Sequence, residues 1–405
     1  MSFFDLTKIA SNRISFKIKD IDLSIINAVR RIILAEVPTI GFYFDTYDIE
    51  NNAIKIITNT GVIHNEFLAH RISLVPLCFD ENEIYNFDPK KYKFVLKKKN
   101  TTSAVLNVTT ADFEIINEEG NKYPEKIREK ILPKSPITGD YILLTKLKPN
   151  LYDITNGEEL DIECYPSVNI AKTHSRWSPV SQACFYNNID KDLAETAYEE
   201  KLEKFKKEKG GSRSAAEIAS LRSQFESLDI QRYFKRNKYD EPSEFTFLIE
   251  SECRLNPSYI FYKALVILVE KIKNLYKSLQ VFPPTNPDIE LTQLGAVDGF
   301  YQLRIKNEDH TLFNTMQCLF FDQEIRKNKD TQLVYIGYYQ PHPHDKLMYL
   351  KMKFNESVDL EFARSFILKN LELSIETIKN IMTDWIEFTE LDSMEIEEVD
   401  EFVNS

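Results

Sequence analysis

Residues 24–40, SIINAVRRIILAEVPTI, form the stretch that decides the fold. The apolar residues in and just before it recur at steps of three and four, the spacing of one face of an α-helix: Leu23, Ile26, Val29 and Ile33. Asp20 and Asp22 are both candidates for the N-cap, and Pro38 ends the run. The stretch therefore predicts a helix of about four turns whose opposite face is polar.

The pattern around this helix recurs later in the chain. Ile14 to Lys19 alternates apolar and charged residues, as a half-buried strand does, and two strand-like runs follow the helix between Gly41 and Thr58, joined by an Asn-Asn turn signal. After residue 288, a strand-like run again leads to a helix, which starts at Asp309, and then to further strands. We therefore expect an α+β protein with two related halves.

Two long helical patterns carry leucine-rich seams of the coiled-coil kind. The first seam, within residues 256–280, consists of Leu265, Leu268, Ile272, Leu275 and Leu279. The second, within residues 358–388, consists of Leu371, Ile375, Ile378, Met382 and Trp385. Each seam requires a partner, so we expect the two helices to pair and the two halves to form an internal pseudo-dimer.

Changes in composition predict the domain limits. The expected units are a larger half at 1–77 and 166–281 with a helical insert at about 190–239, an inserted β-rich subdomain at 78–165, a Pro-containing linker at 282–288, a smaller half at 289–389 and an acidic tail at 390–405.

Length, charge and cysteine usage narrow the class of protein. A chain of 405 residues exceeds the usual size of one hydrophobic core, so two or more packed units are expected. A net charge of −12 has the wrong sign for a protein that mainly grips phosphates. Five scattered cysteines without a Cys-x-x-Cys pair suggest neither disulfides nor zinc. No apolar run approaches the ~20 residues of a membrane span, so we expect an intracellular protein without a membrane segment.

The catalytic motifs searched for are missing. The sequence contains no G-x-x-x-x-G-K-[ST], G-x-G-x-x-G or H-E-x-x-H. His342 and His344 lie between prolines without a third metal ligand, and Asp309-His310-Thr311 is better explained as a helix start than as an acid–base group. We therefore predict no catalytic residue, no metal and no cofactor.

Several long motifs carry a family resemblance. Residues 24–40, then NEFLAHRISLVPL at 65–77 and AKTHSRWSP at 171–179, resemble the alpha-like family of cellular RNA polymerase subunits, in particular the group of the third-largest subunit of RNA polymerase II. EDHTLFN at 308–314 and YIGYYQPHP at 335–343 are similar to the group of its small partner, the eleventh subunit. The resemblance implies that both members of a normally separate heterodimer lie in one chain, as in the RNA polymerases of large cytoplasmic DNA viruses.

This resemblance implies a function in transcription without chemistry of its own. In the family, the paired halves form a platform that binds the second-largest and then the largest catalytic subunit, beside small zinc-bearing subunits. The positions that match the surface facing the second-largest subunit are Asn27, Arg30, Arg31, Glu66, His70 and Arg71. A viral member of the family would be located in the host cytoplasm and in the virion. The resemblance implies neither direct contact with nucleic acid nor binding to a membrane.

Two departures from the family accompany the resemblance. Only Cys78 and Cys164 stand where relatives carry a cysteine cluster for zinc or an iron–sulfur site, which argues against a metal. Phe313 replaces a glycine that usually follows Thr-Leu, so local packing of that helix is expected to differ.

Two other functional classes stay open at this point. An enzyme of unrecognised type has no motif to support it. A nucleic-acid-binding transcription factor would need a basic stripe, for which the nearest candidates are Lys90, Lys91, Lys93, Lys97, Lys98 and Lys99. Alternation along a strand would divide these lysines between two faces, so this is the weaker alternative.

Overall fold

The computed structural model describes residues 2–207, 214–252, 255–281, 283–284, 286–294, 299–328, 330–356 and 358–391. The helices are α1 (Leu23–Ala35), α2 (Asn65–Ser73), α3 (Glu81–Tyr85), α4 (Glu125–Ile131), α5 (Lys191–Lys207), α6 (Ala215–Gln224), α7 (Pro257–Gln280), α8 (His310–Phe320) and α9 (Leu360–Thr389). The strands are β1 (Ser2–Ala10), β2 (Arg13–Lys19), β3 (Thr39–Phe42), β4 (Ile54–Asn59), β5 (Lys93–Lys99), β6 (Leu106–Thr109), β7 (Phe113–Ile116), β8 (Leu143–Leu147), β9 (Glu159–Cys164), β10 (Pro166–Asn169), β11 (Val180–Asn187), β12 (Glu244–Ser251), β13 (Ile289–Gln293), β14 (Phe300–Lys306), β15 (Leu333–Tyr339) and β16 (Leu347–Phe354).

Two four-stranded antiparallel sheets share one topology. The first has the order β1-β2-β12-β11 and the second the order β13-β14-β16-β15. In both, a hairpin leads to a helix (α1 or α8), and a second hairpin leads to a long helix (α7 or α9). The α+β class and the two related halves expected from the sequence are confirmed.

The first helix of each half begins in the same way. Asp22 caps α1, because its Oδ1 accepts the Ser24 N–H at 2.7 Å, and Asp309 caps α8, because its Oδ1 accepts the Thr311 N–H at 2.8 Å. Phe313, which replaces the expected glycine, is completely buried in α8. The bulky ring is accommodated within the core.

The long helices α7 and α9 pack against each other in antiparallel orientation. At one end, Arg364 on α9 donates to the carbonyl oxygens of Leu279 and Gln280, the last residues of α7. At the other end, Trp385 Nε1 donates to the Ser258 carbonyl oxygen near the start of α7, at 3.0 Å. Of the ten seam residues, nine are buried in the core that both halves share and Ile375 is partly buried against it.

Aromatic rings concentrate at the Trp385 end of this core. The indole ring lies 4.5 Å from Phe16 and 4.4 Å from Phe261, measured between ring centroids, and 5.0 Å from Phe3 on β1. Phe388 stacks on Phe3 from the same helix as Trp385. Strand β1 therefore pairs with β2 of its own half and also contacts the second half through Phe3, although no local pattern in its sequence predicts this strand.

The β-rich region between α1 and β11 has a core of its own. It contains a sheet of order β4-β9-β5-β7 and a two-stranded sheet of β6 and β8. The turn signal at Asn51-Asn52 lies between β3 and β4, but these two strands do not pair with each other: β3 pairs with β10 and β4 with β9. Both partners lie more than 100 residues further along the chain, beyond the reach of a turn signal.

A pair of helices separates β11 from β12. Helices α5 and α6 enclose a small core of Ala194, Tyr198, Leu221 and Phe225. The sequence predicts a break between these two helices at Gly210-Gly211. That position and the acidic tail after Leu391 lie outside the described residues. Among the residues that are described, no helix combines the length and the apolarity that crossing a membrane requires.

Replacing Trp385 by alanine is expected to lower the free energy of unfolding by about 3–5 kcal/mol, because the change removes a fully buried ring from the shared core. Urea unfolding of the full chain measures the change. Val334→Ala, at a site that is 48% exposed in the second sheet, is the control and should change the free energy by less than about 0.5 kcal/mol. Equal effects of the two substitutions would contradict the role given to Trp385.

Candidate functional site

The outer face of α1 carries two of the predicted partner-binding residues side by side. Asn27 Oδ1 accepts hydrogen bonds from Arg30 Nε at 3.1 Å and Arg30 Nη2 at 3.0 Å. Both side chains are half-buried. This contact orients the guanidinium, while its remaining N–H groups can still reach an acceptor outside the chain.

The outer face of α2 carries three more of the six predicted residues. Glu66, His70 and Arg71 are exposed on one side of this helix, together with Phe67 and Leu74. Arg71 is also tied to the β-rich region: its Nε donates to the Leu144 carbonyl oxygen at 3.1 Å and its Nη2 to that of Leu143 at 2.8 Å. A guanidinium held by two backbone acceptors presents a fixed geometry to a partner.

Arg31 differs from the other predicted residues because it points to the second half of the chain. Its Nε donates to Thr311 Oγ1 at 2.8 Å, and its Nη2 lies 3.7 Å from Asp309 Oδ2. Its side chain is 40% exposed. Arg31 thus joins the two halves and leaves part of its guanidinium at the surface.

A network of charges extends from Arg31 along the junction of the halves. Lys271 on α7 lies between Glu36 and Glu308, with Nζ–O distances of 3.0 and 3.2 Å. Lys172 lies 3.4 Å from Asp309 and 3.8 Å from Glu36. The network alternates cations from the first half with carboxylates from both halves.

The surroundings of this network shift two pKa values. Burial alone would raise the pKa of Asp309, but hydrogen bonds from Thr311 and the charges of Lys172 and Arg31 hold it below the ordinary value. Burial alone would lower the pKa of Lys271, but the carboxylates of Glu308 and Glu36 raise it above the ordinary value. Both groups are therefore charged at neutral pH.

The motif at 171–179 closes the first half around β3. Arg176 donates to the carbonyl oxygens of Phe42 at 3.0 Å and Phe44 at 2.8 Å. Trp177 is completely buried, and its indole would lie 2.9 Å from a Cβ at Gly41. Only a residue without a side chain allows this approach, which explains the glycine in β3.

The residues that the sequence offered as candidates for catalysis or metal binding are explained by exposure, helix capping or burial. His342 and His344 lie in an exposed turn with ring centroids 5.2 Å apart. Asp309 caps α8 rather than acting on His310. Burial raises the pKa of the Cys164 thiol well above its ordinary value, which makes a thiolate ligand unfavourable. Within the described ranges, no group of three His, Cys, Asp or Glu residues is arranged to hold a metal ion.

The lysines of β5 are neutralised by carboxylates. Lys93 pairs with Glu163, Lys97 with Asp161 and Lys99 with Glu159, all across the neighbouring strand β9, and Lys98 pairs with Asp112. The N–O distances lie between 2.7 and 3.4 Å. A stripe that binds phosphates needs cations without such partners, so this arrangement weakens the nucleic-acid alternative.

Sequence reasoning missed two groups of residues. Phe67 and Leu74 are not among the predicted partner-binding residues, although an apolar residue on the polar side of an amphipathic helix is recognisable in a sequence. Glu36, Lys172, Lys271 and Glu308 were not selected either, because their partners are distant in the sequence. No local pattern could have found that second group.

A half made of a four-stranded sheet and two helices, repeated and paired through long helices, defines a dimerisation fold. The chain belongs to the family of the RNA polymerase Rpb3/Rpb11 dimerisation domain, whose model matches residues 15–272. The match ends within α7, so the second half lies outside it.

Relatives of known role align over most of their length. The chain is 27% identical over 299 residues to the DNA-directed RNA polymerases I and III subunit rpac1 of Dictyostelium discoideum, which covers 67% of this chain and 79% of that protein. It is 25% identical over 297 residues to the DNA-directed RNA polymerase II subunit RPB3 of Schizosaccharomyces pombe, which covers 69% of this chain and 88% of that protein.

Asp309→Asn is expected to lower the free energy of unfolding at pH 7 by about 1 kcal/mol, because asparagine still caps α8 but loses the attraction of Lys172 and Arg31. The folded-state pKa of Asp309 lies below its ordinary 3.8, so its charge stabilises the fold above that pH and the stabilisation is lost as the pH falls further. The difference between variant and parent should therefore shrink in acid. Urea unfolding at pH 7 and at pH 3 measures it.

Asp22→Asn is the matched control for this prediction. Asp22 caps α1 as Asp309 caps α8, and in the described part of the chain no lysine or arginine forms an ion pair with it. The control should change little at either pH. A loss as large as that of Asp309→Asn would show that capping, not charge, is responsible.

Proposed function

We propose that this chain is the non-catalytic assembly-platform subunit of a multisubunit DNA-directed RNA polymerase. It would bind the second-largest catalytic subunit first and then the largest, in company with small zinc-bearing subunits. Membership of the dimerisation-domain family carries this proposal, and the matched relatives are polymerase subunits. No active site, cofactor, membrane or direct nucleic-acid contact belongs to the proposed role.

The proposal includes both halves of the platform in one chain. The second half has the same strand order as the first and pairs with it through α7 and α9, which supports its assignment as the counterpart of a separate small subunit. The domain limits given above belong to this proposal. A tether of a few residues replaces subunit concentration by an effective concentration commonly of millimolar order, so the platform would be preformed.

The fused arrangement also supports a proposal about origin. A polymerase with such a fusion resembles those of large cytoplasmic DNA viruses, and the host cytoplasm and the virion would then be its places of action. The abundance of Ile, Lys and Asn suits an AT-rich genome.

The proposed surface for the second-largest subunit consists of Asn27, Arg30, Arg31, Glu66, His70 and Arg71. Its support is chemical: Arg30 and Arg71 are oriented by acceptors within the chain and keep further N–H groups for carboxylate or carbonyl oxygens of a partner. Phe67, which is 70% exposed beside them, adds apolar area that a buried interface would cover.

Arg30→Ala combined with Arg71→Ala is expected to leave the chain folded and to weaken capture of the second-largest polymerase subunit by tenfold or more. The reason is the loss of two oriented guanidinium groups from one interface. A pull-down of that subunit by the purified variant, with circular dichroism as the test of folding, measures the effect.

Arg232→Ala serves as the control, because Arg232 is 78% exposed and lies beyond α6, away from the proposed surface. It should capture as much partner as the parent. Undiminished recovery by the double variant would overturn the assignment of these residues.

Mass spectrometry of a native pull-down tests the wider proposal. It should find two very large polymerase subunits together with the chain. Their absence, together with turnover by the chain alone, would favour an enzyme.

A further inference from the structure

The contact between α1 and α8 has two equivalent ends. The helices pack in antiparallel orientation, each capped by an aspartate and each with a hydroxyl residue two positions later, Ser24 or Thr311. Nine positions after the cap stands the residue that crosses to the other helix. It is Arg31 in α1 and Cys318 in α8.

The two ends differ in charge. At the first, Arg31 reaches Thr311 and Asp309 of the opposite helix. At the second, the Cys318 thiol donates weakly to Asn314 Oδ1 on its own helix, at 3.9 Å, and lines a groove together with Ser24 and the Asp22 cap. A thiol is a weak hydrogen-bond donor without charge, so the second end lacks the ionic contact that a symmetric pairing would place there.

A short segment from the first half lies next to this second end. Residues 235–243, here called the strap, connect the helical insertion to β12. A β-bridge between Arg236 and Pro242 and a hydrogen bond from the Asn237 N–H to the Glu241 carbonyl oxygen, at 2.8 Å, fold the strap into a tight turn. Its tip therefore has a defined shape.

The strap binds the second half through one arginine. Arg326 ends the π-helical turn Phe321–Arg326 that follows α8. Its Nη1 donates to Glu241 Oε2 at 2.9 Å and its Nη2 donates to Glu241 Oε1, so the pair is bidentate. The guanidinium carbon lies 4.4 Å from the ring centroid of Tyr239 and 5.1 Å from that of Phe321.

This geometry is specific for arginine. A planar guanidinium can bind both oxygens of a carboxylate and contact aromatic faces at the same time, whereas a lysine ammonium cannot do both. The Arg326 side chain is 20% exposed and that of Glu241 is 43% exposed, so the contact is shielded from solvent mainly on the arginine side.

We infer that the strap is a specificity-determining surface whose partner is the second half of the same chain. It supplies, through Glu241 and Arg326, the ionic contact that Cys318 does not provide at this end of the α1–α8 pair. The strap thereby fixes how the two halves are oriented and walls a groove of about 900 Å³ that extends to Asn27 on α1. The inference does not depend on the proposed polymerase function, because both contact partners belong to this chain.

Hydrogen–deuterium exchange on the full chain tests this inference, because a contact that couples two segments protects both of them. Glu241→Gln removes the charge from the strap and should accelerate amide exchange about tenfold in residues 321–327 of the second half. Arg326→Lys removes the bidentate, stacked geometry and should accelerate exchange to a similar extent in residues 235–243. The effect of each substitution on amide exchange is thus measured in the segment that does not contain the substitution.

Arg222→Lys is the matched control. Arg222 also binds carboxylates, those of Glu195 and Glu226, and its guanidinium carbon also lies 4.4 Å from an aromatic ring centroid, that of Tyr198. All these residues belong to the helical insertion, so exchange should rise there and stay unchanged in residues 321–327. Exchange in 321–327 that stays within twofold of the parent in Glu241→Gln, or that rises equally in Arg222→Lys, would overturn the inference.

Discussion

The antiparallel pairing of α7 and α9 is the contact on which the rest of the structure depends. Each helix has an apolar side too wide for its own sheet to cover, and each covers the other. Trp385 shows how complete this sharing is: a residue of the second half packs among Phe3, Phe16 and Phe261 of the first and donates its indole N–H to Ser258. Buried residues of both halves form one continuous core, so the two sheets and the helices between them are one hydrophobic unit.

The strand order of the four-stranded sheet repeats within the chain, but the residues at some equivalent positions of the two halves differ. Aspartate caps and hydroxyl residues recur at α1 and α8, so the backbone is placed in the same way twice. The residues nine positions after the caps differ: they are Arg31 and Cys318. A difference of this kind is possible within one chain because each position occurs in a single copy of the half, whereas in a symmetric homodimer the same residue appears at both ends.

The helices were predictable and much of the rest was not. The steps of three and four in α1 and α7 are local, and burial of one face follows from them directly. Strand β1 was missed because bulges interrupt its pairing with β2 near Asp5 and Ile9, which disturbs the alternation that identifies strands. For the site, the sequence indicated that Arg30 and Arg31 are polar residues on one helix, but the two guanidinium groups point to different neighbours. The partner of Arg31 is 280 positions away, and only the packing of α1 against α8 brings it near.

The covalent connection changes what the polar contacts at the junction need to achieve. Ion pairs that are partly exposed, such as Arg31 with Asp309, contribute little to affinity between separate chains. Within one chain, the linker and the shared apolar core already hold the halves together, so a weak directional contact is sufficient to choose among similar orientations. Packing of the apolar core already restricts how the helices cross, and a bidentate or paired charge adds a directional requirement of its own. Arg31, Lys271 and Arg326 each form such a charged contact between the halves, and Arg31 does so from the same helix that carries Asn27 and Arg30.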